Sequence, residues 1–119
     1  MLRVMIESPY AAATPQGVAT NVDYARDAML HSLRRGEAPF ASHLLYTQVL
    51  DDRLSDDRRL GIQAGYEWMY HADIVAFYVD LGWSPGMLNA LKVARLLHRT
   101  IEPRSAYGQP AELPSNDQT

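Results

Sequence analysis

The sequence predicts an α/β fold in which helices cover both faces of a parallel sheet of about four strands. Strand-like apolar segments alternate with amphipathic helical segments along the whole chain. Residues 73 to 79 (DIVAFYV) form a continuous apolar run, which is typical of a central strand buried on both faces. Two helices open with a capping residue followed by proline, at Thr14 and at Ser84. Together these patterns predict a small Rossmann-like or flavodoxin-like three-layer sandwich.

The first strand and the first helix are predicted from the amino-terminal third of the chain. Residues 2 to 7 (LRVMIE) are short, branched and apolar, and Ser8-Pro9-Tyr10 ends them as a loop. Thr14 then caps a helix that Gly36 closes. The apolar residues of this helix recur at spacings of three and four: Val18, Val22, Ala25, Met29 and Leu33.

The middle of the chain predicts a short strand, a loop and a second helix. The strand is predicted over residues 37 to 41 (EAPFA), and the loop that follows it is predicted over residues 42 to 46. The second helix starts at Ser55, with two aspartates at the positive end of the helix dipole, and it ends near His71. Leu60, Ala64 and Trp68 give this helix one apolar face, and Trp68 and Met69 are expected in the core.

The last third predicts the central strand, a third helix and a final strand. The helix starts at Ser84-Pro85-Gly86 and continues to Leu97, and residues 100 to 102 form the strand. Residues 1 to 104 therefore form a single domain. Glycine, proline and polar residues dominate residues 105 to 119, which predicts a flexible carboxyl-terminal tail.

Composition and charge exclude several classes of function. Eleven basic and fourteen acidic residues give a net charge of −3, and the basic residues are scattered, so we expect no nucleic-acid partner. The absence of cysteine excludes disulfides and thiolate chemistry, and the four histidines lack ligand-type spacing, so we expect no metal and no cofactor. Neither a signal peptide nor a membrane segment is recognisable, which predicts a cytoplasmic protein without a membrane partner.

The predicted fold locates a binding site before any motif is considered. Ligands of open α/β sheets bind at the carboxyl ends of the strands, where the strand order reverses. The loops at that edge carry residues 7 to 10, Ser42 with His43, and residues 80 to 86. Ser84, Gly86 and Met87 form a helix N-terminus suited to an anionic ligand. Glu7 is an unexpected carboxylate at the end of a buried strand, either bonded structurally or lining a pocket.

Several of these segments together resemble the nucleoside 2-deoxyribosyltransferase-like superfamily. The resemblance rests on Ser8-Pro9-Tyr10, on Asn21 and Tyr24 in the first helix, on residues 68 to 73 (WMYHAD) and on residues 80 to 87 (DLGWSPGM). It covers most of residues 2 to 103, and the chain is most similar to small, uncharacterised members from phages and actinobacteria.

The resemblance implies a protein that acts on the N-glycosidic bond of a nucleoside or a (deoxy)nucleoside monophosphate, as a hydrolase or a transferase. In that superfamily a glutamate on the helix after the central strand attacks the anomeric carbon. The residues implied to bind the substrate here are Ser8, Pro9, Tyr10, Asn21, His43, Gly82, Ser84, Gly86 and Met87.

The sequence departs from the superfamily pattern at its acids. The nucleophilic glutamate falls on Ala90, or on Leu88 if the alignment shifts by two, and the second acid falls on Gly65. Three explanations stay open. The protein is a ligand sensor or binding module that has lost the chemistry, an enzyme that uses another acid (Glu7, Asp80 or Glu67), or an engineered Glu-to-Ala variant.

A sheet of about four strands with three helices leaves edges and one helix face uncovered, which predicts a homo-oligomer, a dimer or larger. Four bulky residues of the second helix cannot all face one core, and some of them are expected at a subunit contact: Tyr66, Trp68, Met69 and Tyr70.

Overall fold

A computed structural model describes residues 1 to 115 of the chain. The strands are β1 (Arg3–Glu7), β2 (Ala38–Phe40), β3 (Ile74–Tyr78) and β4 (Ile101–Arg104). The helices are α1 (Pro15–Arg34), α2 (Ser42–Leu45), α3 (Ser55–Met69) and α4 (Pro85–Leu96), and a 3-10 turn (Tyr46–Gln48) follows α2. The predicted succession of strands and helices is confirmed.

The four strands form one parallel sheet in the order β2-β1-β3-β4. The chain leaves β1 toward β2 and later returns to place β3 on the other side of β1, so the strand order reverses between β1 and β3. Glu7 pairs with Phe77 at this point. The residues that follow β1 and β3 therefore emerge side by side at the carboxyl edge of the sheet.

Two apolar layers hold helices against the two faces of the sheet, so the predicted three-layer α/β fold is confirmed. On one face Tyr24 and Ala28 of α1 pack on Ile6 and Tyr78. On the other face α3 and α4 pack on Met5, Val75 and Phe77, in part through Met69 and Leu91. All five residues of β3 are buried, as its continuous apolar sequence predicts.

Both predicted proline-containing helix starts are confirmed. The Thr14 hydroxyl accepts a hydrogen bond from the Gly17 N–H at 3.0 Å. The Ser84 hydroxyl accepts one from the Met87 N–H at 3.2 Å. Each cap satisfies one of the N–H groups that a helix start leaves without a partner, and the cap at Ser84 fixes the start of α4 beside the end of β3.

Two predictions about the segment after β2 are wrong. Residues 42 to 46, expected as a loop, form α2 and the start of the 3-10 turn. The apolar face expected for α3 does not face the core, because Leu60 and Trp68 are 57% and 53% exposed. Instead α3 packs through Gly65 and Met69, since the two small residues Gly61 and Gly65 let the segment after β2 approach its backbone closely.

The chain after β4 makes side-chain contacts with the body of the domain. The Asp80 carboxylate accepts hydrogen bonds from the Ser105 hydroxyl at 2.5 Å and from the Ala106 N–H at 2.8 Å. The Tyr107 hydroxyl donates to Asp27 of α1 at 2.7 Å. A flexible tail from residue 105 stays a prediction, and its last four residues lie outside the described part of the chain. No helix within residues 1 to 115 combines the length and the apolar character needed to cross a bilayer.

Candidate functional site

A cleft of about 460 Å³ opens at the carboxyl edge of the sheet. This volume lies within the range of roughly 300 to 1,000 Å³ that is usual for small-molecule sites. The loop after β1, the segment of α2 and the 3-10 turn, one side of α3 and the first turns of α4 supply its walls. The structure brings together in this cleft eight of the residues predicted from the sequence: Glu7, Ser8, Tyr10, His43, Ser84, Gly86, Met87 and Ala90.

Glu7 places a carboxyl group in the cleft at the end of β1. Burial raises the pKa of Glu7 to about 8, so the group is mostly protonated at neutral pH. Among the described residues no side chain donates a hydrogen bond to its carboxyl group, and the residue lines the cleft. Of the two alternatives for Glu7, the structure favours a pocket-lining acid over a structurally bonded one.

Ser8 and His43 form a polar pair in the cleft. The Ser8 Oγ lies 2.8 Å from the His43 Nε2, within hydrogen-bond distance. Burial lowers the pKa of His43 to about 4, so the imidazole is neutral at physiological pH. The Tyr10 ring meets the imidazole edge to face at 6.4 Å between centroids. The pair can therefore give and accept hydrogen bonds without placing a positive charge in the cleft.

The amino terminus of α4 forms another wall. Ser84, Gly86 and Met87 line the cleft, and backbone N–H groups of a first helical turn favour an anion or a hydroxyl oxygen. A Cβ atom built at Gly86 would meet nothing closer than the Ser84 Oγ at 3.9 Å. The space above Gly86 therefore belongs to the cleft, and a side chain at this position would project into that space.

The two positions where the resemblance implies acids carry none here. Ala90 lines the cleft, but it is 2% exposed and belongs to the apolar cluster beneath the cleft. A Cβ atom at Gly65 would lie 2.7 Å from the Ser42 Oγ and 3.1 Å from the Ser42 Cβ. The Ser42 side chain of α2 therefore occupies the volume that a side chain at position 65 would need.

Asp80 does not line the cleft in the described part of the structure, because other groups already bind its carboxylate. It accepts a hydrogen bond from the Tyr24 hydroxyl at 2.6 Å, in addition to those from Ser105 and Ala106. Burial alone would raise the pKa of Asp80, but these hydrogen bonds together hold it below its ordinary value. This ionised carboxylate joins α1, β3 and the segment after β4.

Three predicted binding residues and one alternative acid also lie outside the cleft lining. Pro9 is buried beside it, and the Asn21 side chain donates to the Tyr10 carbonyl at 2.9 Å, which positions the loop after β1. Gly82 has a φ of +89° and serves the turn between β3 and α4. Glu67, offered as a possible acid, is exposed on α3.

Several lining residues were missed by the sequence reasoning, and α3 supplies many of them. Arg58 and Tyr66 line the cleft, and Asn89 of α4 donates to the Tyr66 hydroxyl at 2.6 Å. A topological signal could have found the residues of α3. This helix follows β2, so its first turns must begin at the same carboxyl edge of the sheet as the site. Residues 1 to 115 hold no group of three or more acidic or histidine side chains arranged for a metal ion.

Comparison with known families places the chain. Residues 2–104 match the protein family described as a domain of unknown function, DUF7768. The chain belongs to this family. The DUF7768 match begins just before β1 and ends on the last residue of β4, so it covers the whole sheet and every wall of the cleft. No curated protein matches the chain. The resemblance to nucleoside 2-deoxyribosyltransferases stays a prediction.

Proposed function

We propose that the cleft binds a (deoxy)nucleoside monophosphate and that the protein is of the N-glycosidase or deoxyribosyltransferase type, acting on the bond between base and sugar. One observation carries the proposal. Glu7, a carboxyl group whose pKa burial raises to about 8, lies in a cleft of small-molecule size at the point where the strand order of the sheet reverses.

The walls of the cleft offer complementary groups for the parts of such a ligand. The neutral pair of Ser8 and His43 suits sugar hydroxyls, because each partner can donate or accept a hydrogen bond. The first turn of α4 adds N–H groups near Gly86. Tyr10 and Tyr66 supply aromatic surface against which a base can pack.

Glu7 supplies an acid and not a nucleophile, because a protonated carboxyl group attacks carbon poorly. In hydrolysis the Glu7 carboxylic acid donates its proton to a nitrogen of the leaving base as the C1′–N bond breaks. Water adds its oxygen to C1′, and its released proton returns to the Glu7 carboxylate. The free base and the sugar phosphate leave, and Glu7 is again protonated.

A second function, a sensor or binding module without chemistry, is favoured by the residues at positions 65 and 90. N-glycosidic and glycosidic hydrolysis of the retaining kind uses two carboxylates, one of them as nucleophile. Neither Gly65 nor Ala90 carries one, and burial weakens Glu7 as a nucleophile. Such a protein would bind its nucleotide and release it unchanged, and the same cleft would serve.

Release of free base from deoxynucleoside monophosphates, measured by chromatography, separates the two functions. Glu7→Gln keeps the size and neutral charge of the protonated acid but holds no transferable proton. We therefore expect Glu7→Gln to keep nucleotide binding, measured by calorimetry, and to abolish base release. Glu67→Gln, a change of the same kind on the exposed side of α3, is the matched control.

Each outcome of this experiment has a definite meaning. Base release by the unmodified protein that Glu7→Gln removes supports the enzyme, whereas release that survives in Glu7→Gln excludes Glu7 as the acid. Binding without release identifies the binding module. Release that appears only in Ala90→Glu identifies an active site silenced at position 90. A protein that binds no nucleoside or nucleotide would contradict both functions.

A further inference from the structure

The cleft is lined by a single basic side chain whose charge is fixed, that of Arg58 in α3, among the residues that the structure describes. His43, the other candidate cation, is held neutral by burial. Arg58 also lines an adjoining, more open depression that continues from the cleft past the loop after β1. The guanidinium therefore belongs to the mouth of the cleft, whereas Glu7 lies at the end of a strand of the sheet.

Arg58 differs from its neighbouring arginines in its ion pairs. Arg53 binds Asp51 at 2.9 Å, and Arg59 binds Asp56 at 2.7 Å. Within residues 1 to 115, no carboxylate lies within ion-pair distance of Arg58, although Asp57 is its neighbour in sequence. The Asp57 carboxylate instead accepts a hydrogen bond from the Asp51 N–H at 2.9 Å. A guanidinium left free in this way keeps all of its donors for a ligand.

Helical spacing directs Arg58 to the same side of α3 as the residues that form the cleft. Position 62 follows position 58 by four residues, positions 65 and 66 follow position 62 by three and four, and all of them line the cleft. Arg59 lies about 100° further around the helix and does not line it. Two adjacent arginines of one helix therefore differ in whether they can reach a bound ligand.

We propose that Arg58 binds the phosphate group of the ligand and makes the cleft select nucleoside monophosphates over nucleosides. The inference rests on the proposed function and names the group that recognises the anion. Guanidinium suits a phosphate because its planar donors can bind two phosphate oxygens at once. With the phosphate at the mouth, the sugar and the base extend toward Ser8, His43 and Glu7.

The carboxylates at the mouth make the contribution of Arg58 larger. Asp52 and Asp57 also line the cleft and repel a phosphate. With Arg58 present the three side chains carry a net charge of about −1, and without it they carry about −2. Removal of Arg58 therefore deletes the attraction and leaves the repulsion uncompensated. Replacement of Asp52 by asparagine removes one repelling charge and should therefore strengthen binding of the phosphate.

Calorimetric titration with a deoxynucleoside monophosphate and with the matching deoxynucleoside tests this assignment. We expect Arg58→Ala to weaken binding of the monophosphate about 10- to 100-fold and to leave the nucleoside within about twofold, as expected for the loss of a hydrogen-bonded ion pair. Arg59→Ala, the matched control, should change neither. Asp52→Asn should strengthen binding of the monophosphate only.

The outcomes separate this inference from the proposed function. If the monophosphate binds equally well to Arg58→Ala, the inference is wrong. If Gly86→Val and not Arg58→Ala gives the phosphate-selective loss, the inference is also wrong and α4 holds the phosphate. Titration with inorganic phosphate, followed at the Arg58 Nε–H by nuclear magnetic resonance, covers the remaining case. If phosphate shifts the Arg58 Nε–H resonance but no nucleotide binds, the proposed function is wrong and Arg58 is still an anion site. If neither inorganic phosphate nor a nucleotide binds, both the assignment of Arg58 and the proposed function are wrong.

Discussion

Glu7 owes its chemical character to its position at the end of β1. An exposed glutamate is ionised at neutral pH, but burial at the end of this strand raises the pKa of Glu7 to about 8. The sequence shows a carboxylate at the end of a buried strand, and from this it predicts either a bonded or a pocket-lining group. It could not decide between them, because the helices that shield Glu7 come from distant parts of the chain.

The pKa of Glu7 predicts how stability depends on pH. The folded protein holds a proton on Glu7 up to a pH of about 8, whereas the unfolded chain loses it near the ordinary value of 4.5. The free energy of unfolding therefore falls as pH rises through this window, and the contribution is lost above pH 8. His43 has the opposite effect on the free energy of unfolding. Burial lowers its pKa from 6.5 to about 4 in the folded protein, so the free energy of unfolding rises with pH between these two values.

Of Glu7 and His43, only Glu7 changes its protonation above pH 6.5. Stability measured above this pH therefore reports on Glu7 without a contribution from His43. We expect the melting temperature of the unmodified protein to fall between pH 6.5 and 8.5, and that of Glu7→Gln to fall much less. Thermal denaturation across this range checks the prediction, with Glu67→Gln as the control that should behave like the unmodified protein. Equal slopes for Glu7→Gln and the unmodified protein would mean that Glu7 is ionised at neutral pH.

At the scale of elements, the close contact between α2 and α3 shapes the site. A Cβ atom built at Gly65 would meet the Ser42 side chain, and one built at Gly61 would lie 3.3 Å from the Leu50 Cδ1. The sequence predicts an apolar face through Leu60 and Trp68, because large apolar side chains dominate a periodicity argument. The buried side of α3 is instead the one whose small residues allow close approach, and a hydrophobic pattern gives no weight to glycine.

This contact predicts unequal effects for two glycine-to-alanine changes in one helix. Gly65→Ala should destabilise the fold by about 1 to 3 kcal/mol, the usual cost of overpacking, because its Cβ meets the Ser42 Cβ at 3.1 Å. In Gly61→Ala the new Cβ meets a flexible leucine methyl group. The higher helix propensity of alanine should offset the cost of this contact, so we expect little change in stability. Chemical denaturation measures both.

The added change Ser42→Gly provides the internal control for the glycine prediction. It removes the atoms that the new Cβ would meet, so the double variant should recover much of the stability lost in Gly65→Ala. Equal losses for Gly65→Ala in the presence and absence of Ser42 would show that the close contact is not the cause.

At the scale of the whole molecule, the outer surface favours association through helices and not through the sheet. Both edge strands contain a proline, Pro39 in β2 and Pro103 in β4, and proline hinders the addition of a further strand. Leu60 and Trp68 are more than half exposed and lie two helical turns apart on α3. Exposed apolar residues on one side of a helix are typical of a contact with another protein.

We therefore propose a homo-oligomer in which this side of α3 contacts a second copy. Light scattering at high micromolar concentration should give a mass above that of the 13.4 kDa chain, and Leu60→Glu should lower it, because a charge resists burial. A monomer in the unmodified protein would contradict the proposal. A mass that Leu60→Glu leaves unchanged would place the contact elsewhere.

The order of the strands and of the three long helices, and the edge of the sheet at which the candidate cleft opens, were predictable from the sequence. The short helix α2 and part of the cleft lining were not. Apolar runs and the caps at Thr14 and Ser84 are local signals, so they place strands and helix starts well. The edge where ligands bind then follows from the alternation of strands and helices. The sequence did not place Arg58, Tyr66 and Asn89 in the cleft, because their positions depend on how α3 and α4 turn against the sheet.

A crystal structure of the protein with a deoxynucleoside monophosphate tests the central claim most directly. We expect the ligand in the cleft at the carboxyl edge of the sheet, with its phosphate on Arg58 and its base or sugar within hydrogen-bond distance of Glu7. A nucleotide bound outside this cleft, or a cleft that stays empty at ligand concentrations that saturate the protein in solution, would contradict the account.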